Sequence, residues 1–262
     1  MAGSLRLALA QPPGSLSGSD ARLDWLASRL PEIGAGGAEL LLLPELFATG
    51  YYIGAGLRDL AEPADGPIAQ SIALLARQAG IAIHYGFAER DGRDIYNGAQ
   101  CFGPDGAFLG GHRKLILPPG FERDLFTAGR GCTLFTYRGV RIATLICYDA
   151  EFGETVRHVA AQGAQLVLVP TALGDQWGWV SHAMIPTRGY ENGVFLAYAN
   201  SAGTENGLSY LGQSFIAAPD GQELARAGAG PQVIFADLDM TRVTRAQQRL
   251  PYLQDRAQIR LG

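Results

Sequence analysis

Short runs of almost purely apolar residues, each closed by a polar or reactive residue, recur along this chain and constrain its fold more than any other feature. Leu40-Leu41-Leu42-Leu43 ends in Pro44-Glu45, residues 140–146 end in Cys147, and residues 165–169 end in Pro170-Thr171. A strand apolar at every position must be covered on both faces, which points to a sheet flanked by other layers. Helical patterns fill the gaps. Residues 20–33 place Leu23, Leu26, Ala27 and Leu30 at helical spacing, with Asp20 as N-cap and Gly34, Gly36 and Gly37 as the stop.

The spacing predicts strands over 5–11, 39–43, 81–87, 96–102, 107–114, 140–147, 165–169 and 194–199, and helices over 20–33, 67–78, 151–162 and 179–192. Gly103-Pro104-Asp105-Gly106 reads as the turn of a hairpin. Residues 211–218 and 233–238, around Pro219-Asp220-Gly221, read as a last antiparallel pair. The order β-α-β and then hairpin strands occurs twice. No linker interrupts it, so residues 1–262 read as one α/β domain.

Composition excludes several function classes. Hydrophobic residues make up 47% of the chain, too many for a disordered one, while charged residues make up only 18%, which suggests surface covered by a partner subunit. The 21 basic and 25 acidic side chains leave a net charge of -4 with no basic stripe, which argues against nucleic acid as a partner. Cys101, Cys132 and Cys147 are widely spaced and odd in number, so neither a disulfide framework nor a zinc site is expected. His84, His112, His158 and His182 share no metal-like spacing. The first residues lack a signal-peptide core, and no apolar run is long enough to span a bilayer. The expectation is a cytoplasmic protein with no membrane partner.

Glu45, Lys114 and Cys147 each stand at the end of an apolar strand, where ligand sites of open α/β folds lie. Singly, each has an ordinary alternative: a loop glutamate, a surface lysine beside His112 and Arg113, a small buried thiol. Their motifs read together say more. LLLPELFATGYYIG around Glu45, HRKLIL around Lys114 and LICYDAEFGE around Cys147 resemble the carbon–nitrogen hydrolase (nitrilase) superfamily, as do LVLVPTAL, TRGYENGVFLAYAN and PYLQDR. The resemblance runs nearly end to end. It implies a four-layer α-β-β-α sandwich and a homodimer, or higher homo-oligomer, that uses the PYLQDR segment. It also implies no metal and no organic cofactor.

The resemblance further implies Cys147 as nucleophile, Glu45 as general base and Lys114 as oxyanion stabiliser, the last shared with the Tyr148 N–H. Glu122, in LPPGFERDLF, matches a second family glutamate, with the role of orienting Lys114 or helping to position the substrate. Tyr51, Tyr148, Phe152, Thr171, Ala172 and Trp177 are candidate substrate-binding residues. Arg188, Glu191 and Asn192 match a family segment expected to be structural. Gly153 departs from the pattern, since Phe-Pro-Glu is usual where this chain has Phe152-Gly153-Glu154. The CYDAEF context resembles the amidase branch, and the chain resembles bacterial amidases of small aliphatic amides, 5-aminopentanamidase and stereoselective amino-acid amidases among them. The expected reaction is hydrolysis of a small aliphatic or ω-amino amide through a thioester. The alternatives are an N-carbamoyl amine or amino acid hydrolase, a nitrilase, or a catalytically idle scaffold.

Overall fold

The structure, a computed structural model, describes residues 3–260. In chain order, β1 (Ser4–Gln11) leads through α1 (Gly18–Ala35) to β2 (Leu40–Leu42). Then come α2 (Gly56–Leu60), α3 (Pro67–Ala79), β3 (Ala82–Asp91), β4 (Asp94–Phe102), β5 (Phe108–Arg113) and α4 (Phe121–Leu125). The next stretch holds β6 (Leu134–Tyr137), β7 (Val140–Thr144), a 3-10 turn (Cys147–Glu151), α5 (Gly153–Ala161) and β8 (Leu166–Pro170). A π-turn (Val180–Met184) runs into α6 (Ile185–Asn192), followed by β9 (Phe195–Ala199) and the small hairpin β10 (Ala202–Glu205) and β11 (Leu208–Leu211). Last are β12 (Phe215–Ala217), β13 (Glu223–Arg226), β14 (Gln232–Asp239), α7 (Thr241–Arg249) and α8 (Tyr252–Asp255).

Two six-stranded mixed sheets result, ordered β14-β1-β2-β3-β4-β5 and β13-β12-β9-β8-β7-β6. Strand alternation explains why the leucine run is apolar throughout. Leu40 and Leu42 join Leu7, Leu9, Ile142, Leu168 and Phe195 in the core between the two sheets. Leu41 and Leu43 point the other way, onto Leu26 and Ile33 of α1 and Ile68 and Ile72 of α3. On the second sheet, Val167 and Leu196 do the same against Val156 and Val159 of α5 and Ile185 at the start of α6. This is the four-layer α-β-β-α sandwich. Among the described residues, no helix is long and apolar enough to cross a membrane.

Four expectations need correction. Ser17, not Asp20, takes the N-cap position of α1, because the backbone turns helical from Gly18; Asp20 sits in the first turn, where its charge favours the helix dipole. The strand expected over 140–147 stops at Thr144, since Cys147 has a left-handed φ no strand can hold. The helix expected from 151 starts at Gly153, because residues 147–151 close into the tighter 3-10 turn. Residues 211–218 and 233–238 do not pair. β12 lies between β13 and β9, whereas β14 crosses to the other sheet and runs antiparallel to β1, Leu5 opposite Leu238. The cause is burial, as Ile234, Ala236 and Leu238 complete the core between the sheets.

Candidate active site

The first strand end turns through Pro44-Glu45 to Leu46, whose φ is 50°. This turn lies hard against β3: a Cβ at Gly86 would stand 2.4 Å from Leu46 N and 2.8 Å from Pro44 O, so only glycine lets the turn settle there. Lys114 follows β5 directly, and its backbone N–H donates to Asn97 O on β4 at 2.8 Å. Cys147 heads the 3-10 turn with a φ of 46°, a costly value for a residue with a side chain.

Buried carboxylates lock these ends in place. Asp149 Oδ1 accepts the N–H groups of Leu115 at 3.0 Å and Ile116 at 2.9 Å, just beyond Lys114. Its Oδ2 accepts from Ile146 N at 3.1 Å, just before Cys147, and meets His112 Nε2 at 3.1 Å. Glu205 does the equivalent for the loop after Glu45. It accepts from Tyr52 N at 2.8 Å and Tyr51 N at 3.2 Å, and pairs with Arg22 Nη2 at 2.6 Å and with the Tyr210 hydroxyl.

At the centre, Lys114 Nζ donates to Glu45 Oε1 at 2.7 Å and to Glu122 Oε1 and Oε2 at 2.8 and 2.7 Å. All three side chains are fully buried or nearly so. Asn97 Nδ2 donates to Glu45 Oε1 at 2.6 Å and lies 3.4 Å from Glu122 Oε2; the Tyr51 hydroxyl donates to Glu122 Oε1 at 2.7 Å. Among the described residues, Glu45 Oε2 and Asn97 Oδ1 have no partner. Thr171 Oγ1 stands 3.0 Å from Cys147 Sγ and 3.0 Å from the Tyr198 hydroxyl.

The electrostatics follow from burial. Desolvation lifts the Glu45 carboxyl from 4.5 to about 7, against the pull of Lys114. Desolvation alone would lower the Lys114 ammonium, but Glu45, Glu122 and Cys147 outweigh it and hold it above its ordinary value. Burial and then the Glu45 charge push the Cys147 thiol well up, with Lys114 and the Thr171 hydrogen bond only partly opposing them. The resting site therefore holds a protonated thiol, a permanent cation and a carboxyl poised near neutrality. Such a set can remove the thiol proton during attack on a carbonyl carbon rather than before it.

The structure brings Glu45, Lys114, Glu122, Tyr51, Cys147 and Thr171 into this cluster. Thr171 is fully buried and meets the thiol, so it lies behind Sγ and not on an open wall. Tyr148 and Phe152 form an edge-to-face pair at 5.0 Å on the turn that carries Cys147. Ala172 is buried beyond β8, while Trp177 lies 55% exposed on the next loop. Arg188 Nη2 donates to Glu151 O at 2.8 Å and Nη1 meets Glu191 Oε1 at 3.2 Å, which braces that turn from α6. A Cβ at Gly153 would stand 3.4 Å from Arg188 Nη1, so glycine brings this arginine close. Among the described residues, no group of His, Cys, Asp and Glu is placed to hold a metal ion.

Asn97 and Tyr198 escape a reading of the sequence as site residues. Each lies in a largely buried strand, and only its placement beside Glu45 or Thr171 marks it out. A lone Asn between Tyr96 and Gly98 does carry a faint signal, because an amide in a covered strand demands partners.

Comparison with known proteins places this geometry. The carbon–nitrogen hydrolase family profile matches residues 6–248. A Pseudomonas protegens protein described as a hydrolase in the pqqF 5' region is 41% identical over 97% of this chain and 89% of its own length. An (R)-stereoselective amidase of a Pseudomonas species is 36% identical, over 85% of this chain and 81% of its own. Among solved structures, a double mutant of the amidase from Nesterenkonia sp. AN1 in complex with acrylamide is 32% identical and superimposes with a TM-score of 0.88, covering 97% of this chain and 95% of that one.

Proposed function

The chain belongs to the carbon–nitrogen hydrolase family, and from that premise and the geometry of the cluster we propose an amidase that hydrolyses small aliphatic amides, ω-amino amides among them, to acid and ammonia. The observation that carries this reading is the buried Glu45–Lys114–Glu122 cluster, with Glu45 Oε2 left free and its charge acting on the Cys147 thiol. The amidases from Nesterenkonia and Pseudomonas support the same reaction class.

Cys147 Sγ attacks the amide carbon while Glu45 takes the thiol proton. The carbonyl electron pair moves onto oxygen, and the oxyanion needs donors. Lys114 spends two contacts on the single Glu122 carboxylate, so one can be released to the oxyanion while the other holds the ammonium in place. The Tyr148 N–H, in the first turn of its helix where no intrahelical acceptor exists, is the second donor. Glu45 then passes its proton to the departing nitrogen, and ammonia leaves a thioester on Cys147. Water, deprotonated by Glu45, attacks that thioester and frees the acid and the thiol.

Glu151 supports the amine-bearing substrate class. It closes the Cys147 turn half-buried, and its carboxylate makes no hydrogen bond or ion pair among the described residues. Burial raises its pKa, and the Lys114 and Arg188 charges are near enough to oppose that rise. An ammonium on the substrate chain would supply the missing partner. Residues 1–262 act in this reading as one catalytic domain of a cytoplasmic homodimer. The exposed apolar side chains Trp177, Trp179, Leu250 and Tyr252 favour an assembled form.

The test is a comparison of kcat/KM on one short acyl chain bearing an amide, an N-carbamoyl group or a nitrile. The amide should be turned over fastest, with one ammonia and no carbon dioxide. Preference for the carbamoyl compound, or no turnover of any, would refute the assignment.

A further inference from the structure

The contact between Thr171 and Cys147 extends one residue deeper than the reaction requires. β8 and β9 run parallel, with Val169 opposite Tyr198 and Pro170 opposite Ala199. Thr171 keeps that pairing with an N–H bond to Ala199 O at 2.8 Å. The register stacks the Tyr198 hydroxyl, Thr171 Oγ1 and Cys147 Sγ in a row with both gaps at 3.0 Å. Tyr198 is 1% exposed and Thr171 not at all, so bulk solvent does not reach the row. The Tyr198 ring packs against Phe215, and its hydroxyl has no other partner among the described residues.

Counting protons fixes the direction of this row. A threonine hydroxyl has one proton to give and lone pairs to receive. If the thiol donated to Thr171 and Thr171 to Tyr198, the phenol proton would be buried with nothing to accept it, at a cost of about 1–3 kcal/mol. If Tyr198 donates to Thr171 and Thr171 to Sγ, each hydroxyl proton has an acceptor. The S–H proton is then the one left over, and Glu45, whose charge acts on the thiol, offers Oε2 as a buried acceptor without a partner among the described residues.

The geometry points to a hydroxyl relay, Tyr198 to Thr171 to Cys147 Sγ, in which Tyr198 is a positioning residue that commits the Thr171 proton to sulfur and so leaves the S–H free for Glu45. This rests on Cys147 being the nucleophile. The relay acts twice in the cycle. During attack it holds a sulfur lone pair while the S–H bond breaks toward Glu45 and the new S–C bond forms. During thioester hydrolysis the S–C electron pair returns to sulfur, and the Thr171 O–H is already there to stabilise it.

The test reads the thiol itself: the pH dependence of iodoacetamide alkylation at Cys147, followed by site-resolved mass spectrometry alongside turnover. The charges acting on Sγ come from Glu45, Lys114 and Glu122, with Tyr51 nearby, and none is altered by the variants. Thr171→Val removes the donor at nearly constant volume. It should lower the thiolate fraction at a given pH about 10-fold, the loss expected for a hydrogen bond to a charged group, and move the alkylation midpoint up by about one pH unit. Tyr198→Phe should move it the same way by less, and Thr171→Ser should restore it. Unmoved profiles in both Thr171→Val and Tyr198→Phe would overturn the relay, even if melting temperatures fell. A Thr171→Ser profile like that of Thr171→Val would overturn it too. Should Thr171→Val fail to fold, the Tyr198→Phe profile decides alone. Failure of the nucleophile assignment shows separately, as turnover surviving in Cys147→Ala.

Discussion

Replacing Glu45 by Gln should make the protein more stable and nearly inactive at the same pH. Gln mimics the protonated carboxyl, and its oxygen can keep both bonds that Glu45 Oε1 receives, from Lys114 at 2.7 Å and Asn97 at 2.6 Å. What disappears is the ionised form. A carboxyl whose pKa stands at about 7 rather than 4.5 costs the fold about 3 kcal/mol once ionised, at about 1.4 kcal/mol per decade. Because the folded-state value is the raised one, wild-type stability is greatest below the ordinary carboxyl range. It falls as pH climbs from about 4.5 to about 7, and is level above that. Glu45→Gln should therefore exceed wild type by about 3 kcal/mol near pH 8 and by little near pH 4.5. Loss of the base should lower kcat by about 10²–10⁴. Denaturant unfolding at the two pH values measures the first effect and ammonia release the second. A variant no more stable at pH 8 than at pH 4.5, relative to wild type, would refute the electrostatic account. Wild-type deacylation of a thioester trapped on Cys147 would refute the shared base.

Cys147→Ala should abolish ammonia release without unfolding the protein, which circular dichroism and a turnover assay check together. Lys114→Met should lower kcat by about 10²–10³; a change confined to KM would make Lys114 a substrate anchor instead. The kcat/KM of the wild type should fall tenfold per pH unit below about 7, as Glu45 takes up a proton. Glu151→Gln should raise KM for an ω-amino amide about 10-fold and leave the matching alkyl amide unchanged, and equal losses on both would deny Glu151 a part in substrate charge selection.

The layers of the fold were legible because burial on two faces and burial on one leave different patterns. Leu40 to Leu43 had to be a covered strand, and residues 20–33 a helix with one apolar face. What the pattern hides is partnership between distant strands. The run 233–238 reads correctly as a strand, yet its pairing with β1 depends on where Ile234 and Leu238 find a core, which adjacency to residues 211–218 misrepresents. The site divides likewise. Charged and thiol residues at strand ends announce themselves, whereas Asn97 and Tyr198 become visible only when neighbouring strands set them beside Glu45 and Thr171. Left-handed Cys147 is invisible in sequence, since nothing local forbids residues 140–147 from staying extended.

The crossing of β14 into the first sheet also sets the order in which this molecule can be made. β1 leaves the ribosome well before β14, the strand that covers its edge. At ordinary rates of synthesis the wait is on the order of 10–40 s. Throughout it the β1 edge is unpaired, in a nascent chain whose inter-sheet face lacks Ile234, Ala236 and Leu238. An open, apolar edge invites association with other chains, so the nascent protein should depend on chaperone cover until residue 239 has emerged. A chain cut before residue 232 should aggregate even though Glu45, Lys114 and Cys147 are all present. Because closing contacts so far apart in sequence is slow, refolding of the intact chain should be limited by the return of β14.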